Sequence, residues 1–190
     1  MKTTRKTEGK RKMTEASRKT ALVAGSFDPV TAGHFDIIRR TAALFDKVYV
    51  VSFNNTEKKY MFNQQQREEM LKIACRDFEN VITCSYGGLL ADFAAENGVG
   101  VIVKGIRDSN DLAYELDLAT INRMINDQIE TVFIPARPEY MHISSTFVRD
   151  MIGYKRSIDG ILPPGVAEYI EKNFKSASEP RRTEKPGFMR

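Results

Sequence analysis

Five short apolar runs, each followed by a stretch of helical periodicity, constrain this chain more than any other feature. Runs at 21–24, 47–53, 81–84, 100–104 and 131–135 read as strands, the first being Ala21-Leu22-Val23-Ala24 before Gly25. Near-continuous apolar character is that of strands covered on both faces. Between and after them the spacing predicts helices over 33–45, 64–78, 89–97, 110–126, 144–152 and 165–174. Phe35, Ile38, Ala42 and Phe45 mark the inward side of the first helix. Met70, Leu71, Ile73, Ala74 and Phe78 mark that of the second, whose other face is polar. Gly98 and Gly153 are expected to close their helices.

That order predicts an α/β fold, a doubly wound five-stranded parallel sheet of Rossmann-like type. Ligands of such sheets bind beyond the carboxyl ends of the strands. Function is therefore expected at 25–34, 53–62, 85–90, 104–108 and 135–146.

The chain has 190 residues and a formal charge of +4. A pI near 9.0 invites a polyanion partner. The charge sits at the ends: residues 1–19 carry +6 and residues 176–190 carry +2, which leaves −4 on 20–175. The two ends read as disordered tails and 20–175 as the domain. Nucleic-acid binding through the tails would be salt-sensitive and sequence-independent, and the body shows no recognition motif, so no nucleic-acid partner is expected. No run approaches the roughly 18 apolar residues of a membrane span, and no apolar segment follows the basic start as in a secretory signal. Cys75 and Cys84 form no C-x-x-C, so inert thiols in a reducing cytoplasm are expected.

The first predicted edge reads Gly25-Ser26-Phe27-Asp28-Pro29-Val30-Thr31-Ala32-Gly33-His34. It is neither G-x-G-x-x-G nor a P-loop. Gly33 gives room for close approach. His34 falls in a first helical turn, where an anion is favoured. Ile143-Ser144-Ser145-Thr146 opens another helix at the fifth edge. Ser is a common cap in any protein, so Ser144 alone says little.

Thr31-Ala32-Gly33-His34 together with Ile143-Ser144-Ser145-Thr146 resembles the two signatures of the nucleotidyltransferase superfamily, T/H-x-G-H and I-S-S-[ST]. Within it, Gly25–His34, Lys58-Lys59-Tyr60-Met61-Phe62, Lys104-Gly105-Ile106-Arg107 and Asp111–Glu115 are similar to segments of the phosphopantetheine adenylyltransferases. The likeness runs from about Ala21 to Phe174. Lys104 departs from it, standing where many members have Arg; it brings a point charge instead of a fork. Related nicotinate-mononucleotide adenylyltransferases and cytidylyltransferases usually carry His where this chain has Thr31.

The resemblance implies transfer of the adenylyl group of ATP to 4′-phosphopantetheine. The acceptor phosphate is already anionic, so the reaction needs positioning and charge stabilisation more than a base. The edge residues agree: they are cations and donors, with no Ser–His–Asp or Cys–His set. Chemistry and resemblance together give His34 the α-phosphate, Lys58 the acceptor phosphate, Arg107 the leaving pyrophosphate, and Ser26 with the Phe27 amide a phosphate contact. The resemblance places Gly105, Ile106, Arg107 and Glu115 in the nucleotide pocket. It adds Tyr140, Met141, His142, Ile143, Ser144, Ser145 and Thr146 there, and sets Leu90 and Lys104 on the pantetheine arm. It further implies Mg²⁺ carried with ATP and a homohexamer built as a dimer of trimers. Asp28, in a turn before Pro29, is read as structural.

Overall fold

In the computed structural model the described residues are 19–54 and 59–174. They form strands β1 (Thr20–Gly25), β2 (Lys47–Phe53), β3 (Val81–Tyr86), β4 (Val101–Ile106) and β5 (Glu130–Pro135). Helices α1 (Ala32–Ala42), α2 (Gln64–Cys75), α3 (Leu90–Glu96), α4 (Ser109–Ile125), α5 (Ser145–Gly153) and α6 (Val166–Phe174) alternate with and follow them. A single 3₁₀ turn, Pro138–Tyr140, lies between β5 and α5.

The sheet is parallel throughout, in the order β3-β2-β1-β4-β5. The chain steps outward from β1 through β2 to β3, then returns to lay β4 on the other side of β1. That reversal opens a crevice between the carboxyl ends of β1 and β4.

The strands at the centre are apolar because both faces are covered. Ala21, Val23, Val48, Val50, Val101 and Val103 pack on one face, against Ile37 and Ile38 of α1, Met70 and Leu71 of α2, Val148 of α5 and Ile170 of α6. Leu22, Val51 and Ile102 pack on the other, against Ala91, Phe93 and Ala94 of α3. The two-residue alternation of the strands assigns each side chain to its layer.

The five strands and six helices lie where the sequence puts them, with shifted ends. Strand β3 runs two residues past its expected end, to Tyr86. Helix α2 stops at Cys75, although Phe78 still packs on the core beyond it. Gly98 takes the left-handed conformation after α3 (φ 63°), the geometry expected of it. Gly153 instead remains helical, and Lys155 supplies the left-handed residue after α5 (φ 53°). Lys19, assigned to the tail by sequence, is tied to the sheet: its carbonyl accepts the N–H groups of Asp46 and Lys47. The remaining expectations for the two tails lie outside the described residues.

Arg67 departs most from the sequence reading. On a helix face read as polar, it is 1% exposed. No helix among the described residues is long and apolar enough to cross a membrane. Cys75 and Cys84 are free thiols, and burial pushes the Cys75 thiol up to about 12, which removes it as a nucleophile.

Candidate active site

A cavity of roughly 780 Å³ occupies the crevice at the ends of β1 and β4. The turn after β1 forms one wall. Phe27 is buried and left-handed (φ 47°), an uncommon conformation for a residue with a side chain. Its ring packs edge-on against the His34 imidazole, with centroids 5.2 Å apart.

Thr31 caps α1, and His34 completes a capping box with it. The Thr31 N–H donates to His34 Nδ1 at 3.1 Å, and the His34 N–H donates back to Thr31 Oγ1 at 3.3 Å. With Nδ1 accepting, the neutral ring carries its proton on Nε2. Desolvation, then the positive charge of Arg107, lowers the His34 pKa to about 4. The ring is therefore a neutral donor at pH 7.

The end of β4 forms the facing wall. Gly105 is there for a packing reason: a Cβ on it would stand 2.8 Å from Cγ1 of Ile37 in α1. Gly33, by contrast, faces Tyr140 at ordinary contact distance. Lys104 pairs with Glu115 of α4 at 3.1 Å, both largely buried. Arg107 forks onto Asp111, Nε to Oδ2 at 2.7 Å and Nη2 to Oδ1 at 2.9 Å. That fork holds the Asp111 carboxyl below the usual range.

The start of α5 closes the cavity. The Ser144 hydroxyl caps the helix by accepting the Phe147 N–H. Ser145 Oγ donates to the Pro29 carbonyl at 2.9 Å, so that hydroxyl proton is committed to holding α5 on the β1 turn. What α5 offers an anion is its free first-turn N–H groups.

Asp28 is the hub beneath these walls, as its structural reading implies. Its carboxylate accepts the N–H groups of Met61 and Phe62 at 3.0 and 2.9 Å, docking the loop after β2. Arg149 of α5 donates to the Asp28 carbonyl at 2.7 Å and lies 3.6 Å from its carboxylate.

The structure brings Ser26, Phe27, His34, Leu90, Lys104, Gly105, Arg107 and Glu115 to the cavity, with Tyr140, Ile143, Ser144, Ser145 and Thr146. Ile106, Met141 and His142 do not line it. Lys58 lies outside the described residues; its neighbours Lys59 and Tyr60 line the cavity. Sequence reasoning missed Arg149 on the wall and Asp111 as the partner of Arg107. Arg149 sits three residues after Thr146 and four after Ser145, one turn along the same helix side. That spacing was the available signal.

A parallel sheet whose switch point holds a neutral histidine donor, a forked arginine, a lysine and a helix N-terminus can hold phosphate groups. A family model described as cytidylyltransferase-like matches residues 22–151. A structure from Vibrio parahaemolyticus, described as a nicotinate-nucleotide adenylyltransferase, shares the fold with a TM-score of 0.62 at 18% identity, covering 82% of this chain and 93% of that one. The phosphopantetheine adenylyltransferase of Symbiobacterium thermophilum is 42% identical over 154 residues, 81% of this chain and 95% of its own length. The fold and site are those of a nucleotidyltransferase enzyme. Among these, the chain belongs to the phosphopantetheine adenylyltransferase family.

Proposed function

We propose that this chain transfers the adenylyl group of ATP to 4′-phosphopantetheine, giving dephospho-coenzyme A and pyrophosphate in coenzyme A biosynthesis. A phosphate oxygen of the acceptor forms a bond to the α-phosphorus in line with the departing bridge. The bond from the α-phosphorus to that bridging oxygen breaks, and pyrophosphate leaves with its electron pair. No proton has to move.

The observation that carries this reading is the hydrogen bond from the Thr31 N–H to Nδ1 of His34. With Nδ1 accepting from Thr31, Nε2 is left to donate to α-phosphate oxygens as their charge shifts in the transition state. Arg107 opposite takes the β- or γ-phosphate, and Ser26 with the Phe27 amide holds further phosphate oxygens. Lys58 takes the acceptor phosphate. Lys104 and Leu90 line the pantetheine side, and Glu115 with 140–146 the nucleotide side. Among the described residues no three His, Cys, Asp or Glu side chains gather as a metal cage. The reading accordingly has Mg²⁺ arrive on the triphosphate, where it neutralises charge.

The same reading places the enzyme in the cytoplasm, without a nucleic-acid partner. It expects a homohexamer, a dimer of trimers. Leu112, Leu116, Ile121, Met124 and Ile125 leave an exposed apolar surface on α4 that supports a covering copy. Sedimentation at working concentration tests this.

The decisive experiment offers the protein, with Mg²⁺, ATP plus 4′-phosphopantetheine, ATP plus nicotinate mononucleotide, or CTP plus glycerol phosphate. Pyrophosphate is expected with the first pair. Release only with nicotinate mononucleotide would overturn the assignment.

A further inference from the structure

Arg67 of α2 is a buried cation that makes no ion pair among the described residues. Burying an unpaired charge is costly, so its surroundings must satisfy it. Nη1 donates to the Ser26 carbonyl at 2.7 Å, the Ser52 hydroxyl at 3.2 Å and the Phe53 carbonyl at 3.4 Å. Nη2 donates to Asn54 Oδ1 at 3.0 Å, and the Tyr60 ring lies 4.0 Å from the guanidinium carbon. Nε has no hydrogen-bond partner among the described residues. The group binds the ends of β1 and β2 together from behind the cavity, which it does not line.

The shortest of these bonds has a geometric consequence. The Ser26 carbonyl and the Phe27 N–H belong to one peptide unit and point in opposite directions. The Ser26 carbonyl is turned towards Arg67, which does not line the cavity, and Ser52 Oγ adds a second donor at 3.4 Å. The N–H of Phe27 must then face the other way, and among the described residues it finds no acceptor. Phe27 holds a left-handed φ of 47° there, a strained conformation for a residue with a side chain. A flipped peptide would relieve that strain, and would put a carbonyl oxygen where a phosphate must come.

We propose that Arg67 is a positioning residue of the phosphate site: by holding the Ser26 carbonyl behind the sheet edge, it keeps the Phe27 N–H turned toward the incoming triphosphate. The inference rests on the reading of the β1 turn as a phosphate contact.

The test follows the Phe27 amide by ¹⁵N–¹H NMR as Mg·ATP is added, in the wild type, Arg67→Met and Arg67→Lys, alongside steady-state kinetics and thermal melting. Arg67→Lys keeps the buried charge but not the fork, and serves if the Met variant does not fold. The wild-type amide should shift on ATP addition. In the variants that shift should shrink, and kcat/KM for ATP should fall about a hundredfold, the size expected for one lost preorganised donor. A lower melting temperature alone, with the amide response and kcat/KM within about twofold of wild type, would show Arg67 to be merely structural and overturn the proposal. An unresponsive Phe27 amide in the wild type overturns the reading of the turn itself.

Discussion

The Thr31 N–H lies 3.1 Å from Nδ1 of His34 and fixes which ring nitrogen carries the proton. A helix cap and the donor proposed for catalysis are thus one structure. A motif read as chemistry in the sequence is equally a piece of helix architecture.

In the ligand-free protein His34 should titrate near pH 4, not at its ordinary 6.5. Imidazole NMR should show the Nε2–H tautomer at pH 7. Because the folded pKa lies below the unfolded one, the unfolded chain takes up the proton first. His34 therefore costs no stability above about pH 6.5 and destabilises the fold as pH falls from 6.5 towards 4. A midpoint near 6.5 in the folded protein would refute the neutral-donor assignment.

Replacing His34 with Ala should lower turnover by about a hundredfold or more, while ATP affinity changes little. Equal losses in turnover and affinity, measured by kinetics and calorimetry, would make His34 a binding residue instead.

Thr31→Ala separates the two roles of the cap. It removes the hydroxyl that accepts the His34 N–H and that also lies 3.0 Å from Nδ1, and should cost about 1 kcal/mol of stability. It keeps the backbone N–H on Nδ1, so turnover should fall much less than in His34→Ala. Denaturant melts and turnover on the same samples check both.

Gly105→Ala should destabilise the protein by about 1–3 kcal/mol, because the new methyl meets Ile37. In an Ile37→Ala background the same change should cost less than about 0.5 kcal/mol, since Cγ1 is gone. Equal costs in the two backgrounds would refute the contact with Ile37 as the reason for the glycine.

The strands were readable because burial on both faces writes itself as unbroken apolar runs such as Ala21–Ala24 and Val48–Val51. The site's position followed from strand polarity and from His34 and Ser144 falling at helix starts. Strand order was not readable, since nothing local says that β4 returns to β1. Nor were Arg67 and Asp36, charged residues that are 1% and 2% exposed. Asp36 is held by Arg39 at 2.8 Å, Arg40 at 3.4 Å and Arg137 at 3.5 Å, the last from a segment a hundred residues along the chain. A buried charge looks like a solvated one until its partners are known. Gly105 was read as a ligand contact, and its packing reason became visible only with α1 laid against β4.

Ser145 reaches the Pro29 carbonyl across 116 residues, and Arg149 the Asp28 carbonyl across 121. During synthesis the histidine emerges more than a hundred residues before the helix that encloses it. Truncated chains ending before α5 would hold the T-x-G-H turn without its lid of amides. Regained activity on refolding should therefore lag the recovery of helix signal, since contacts so far apart in sequence are slow to form.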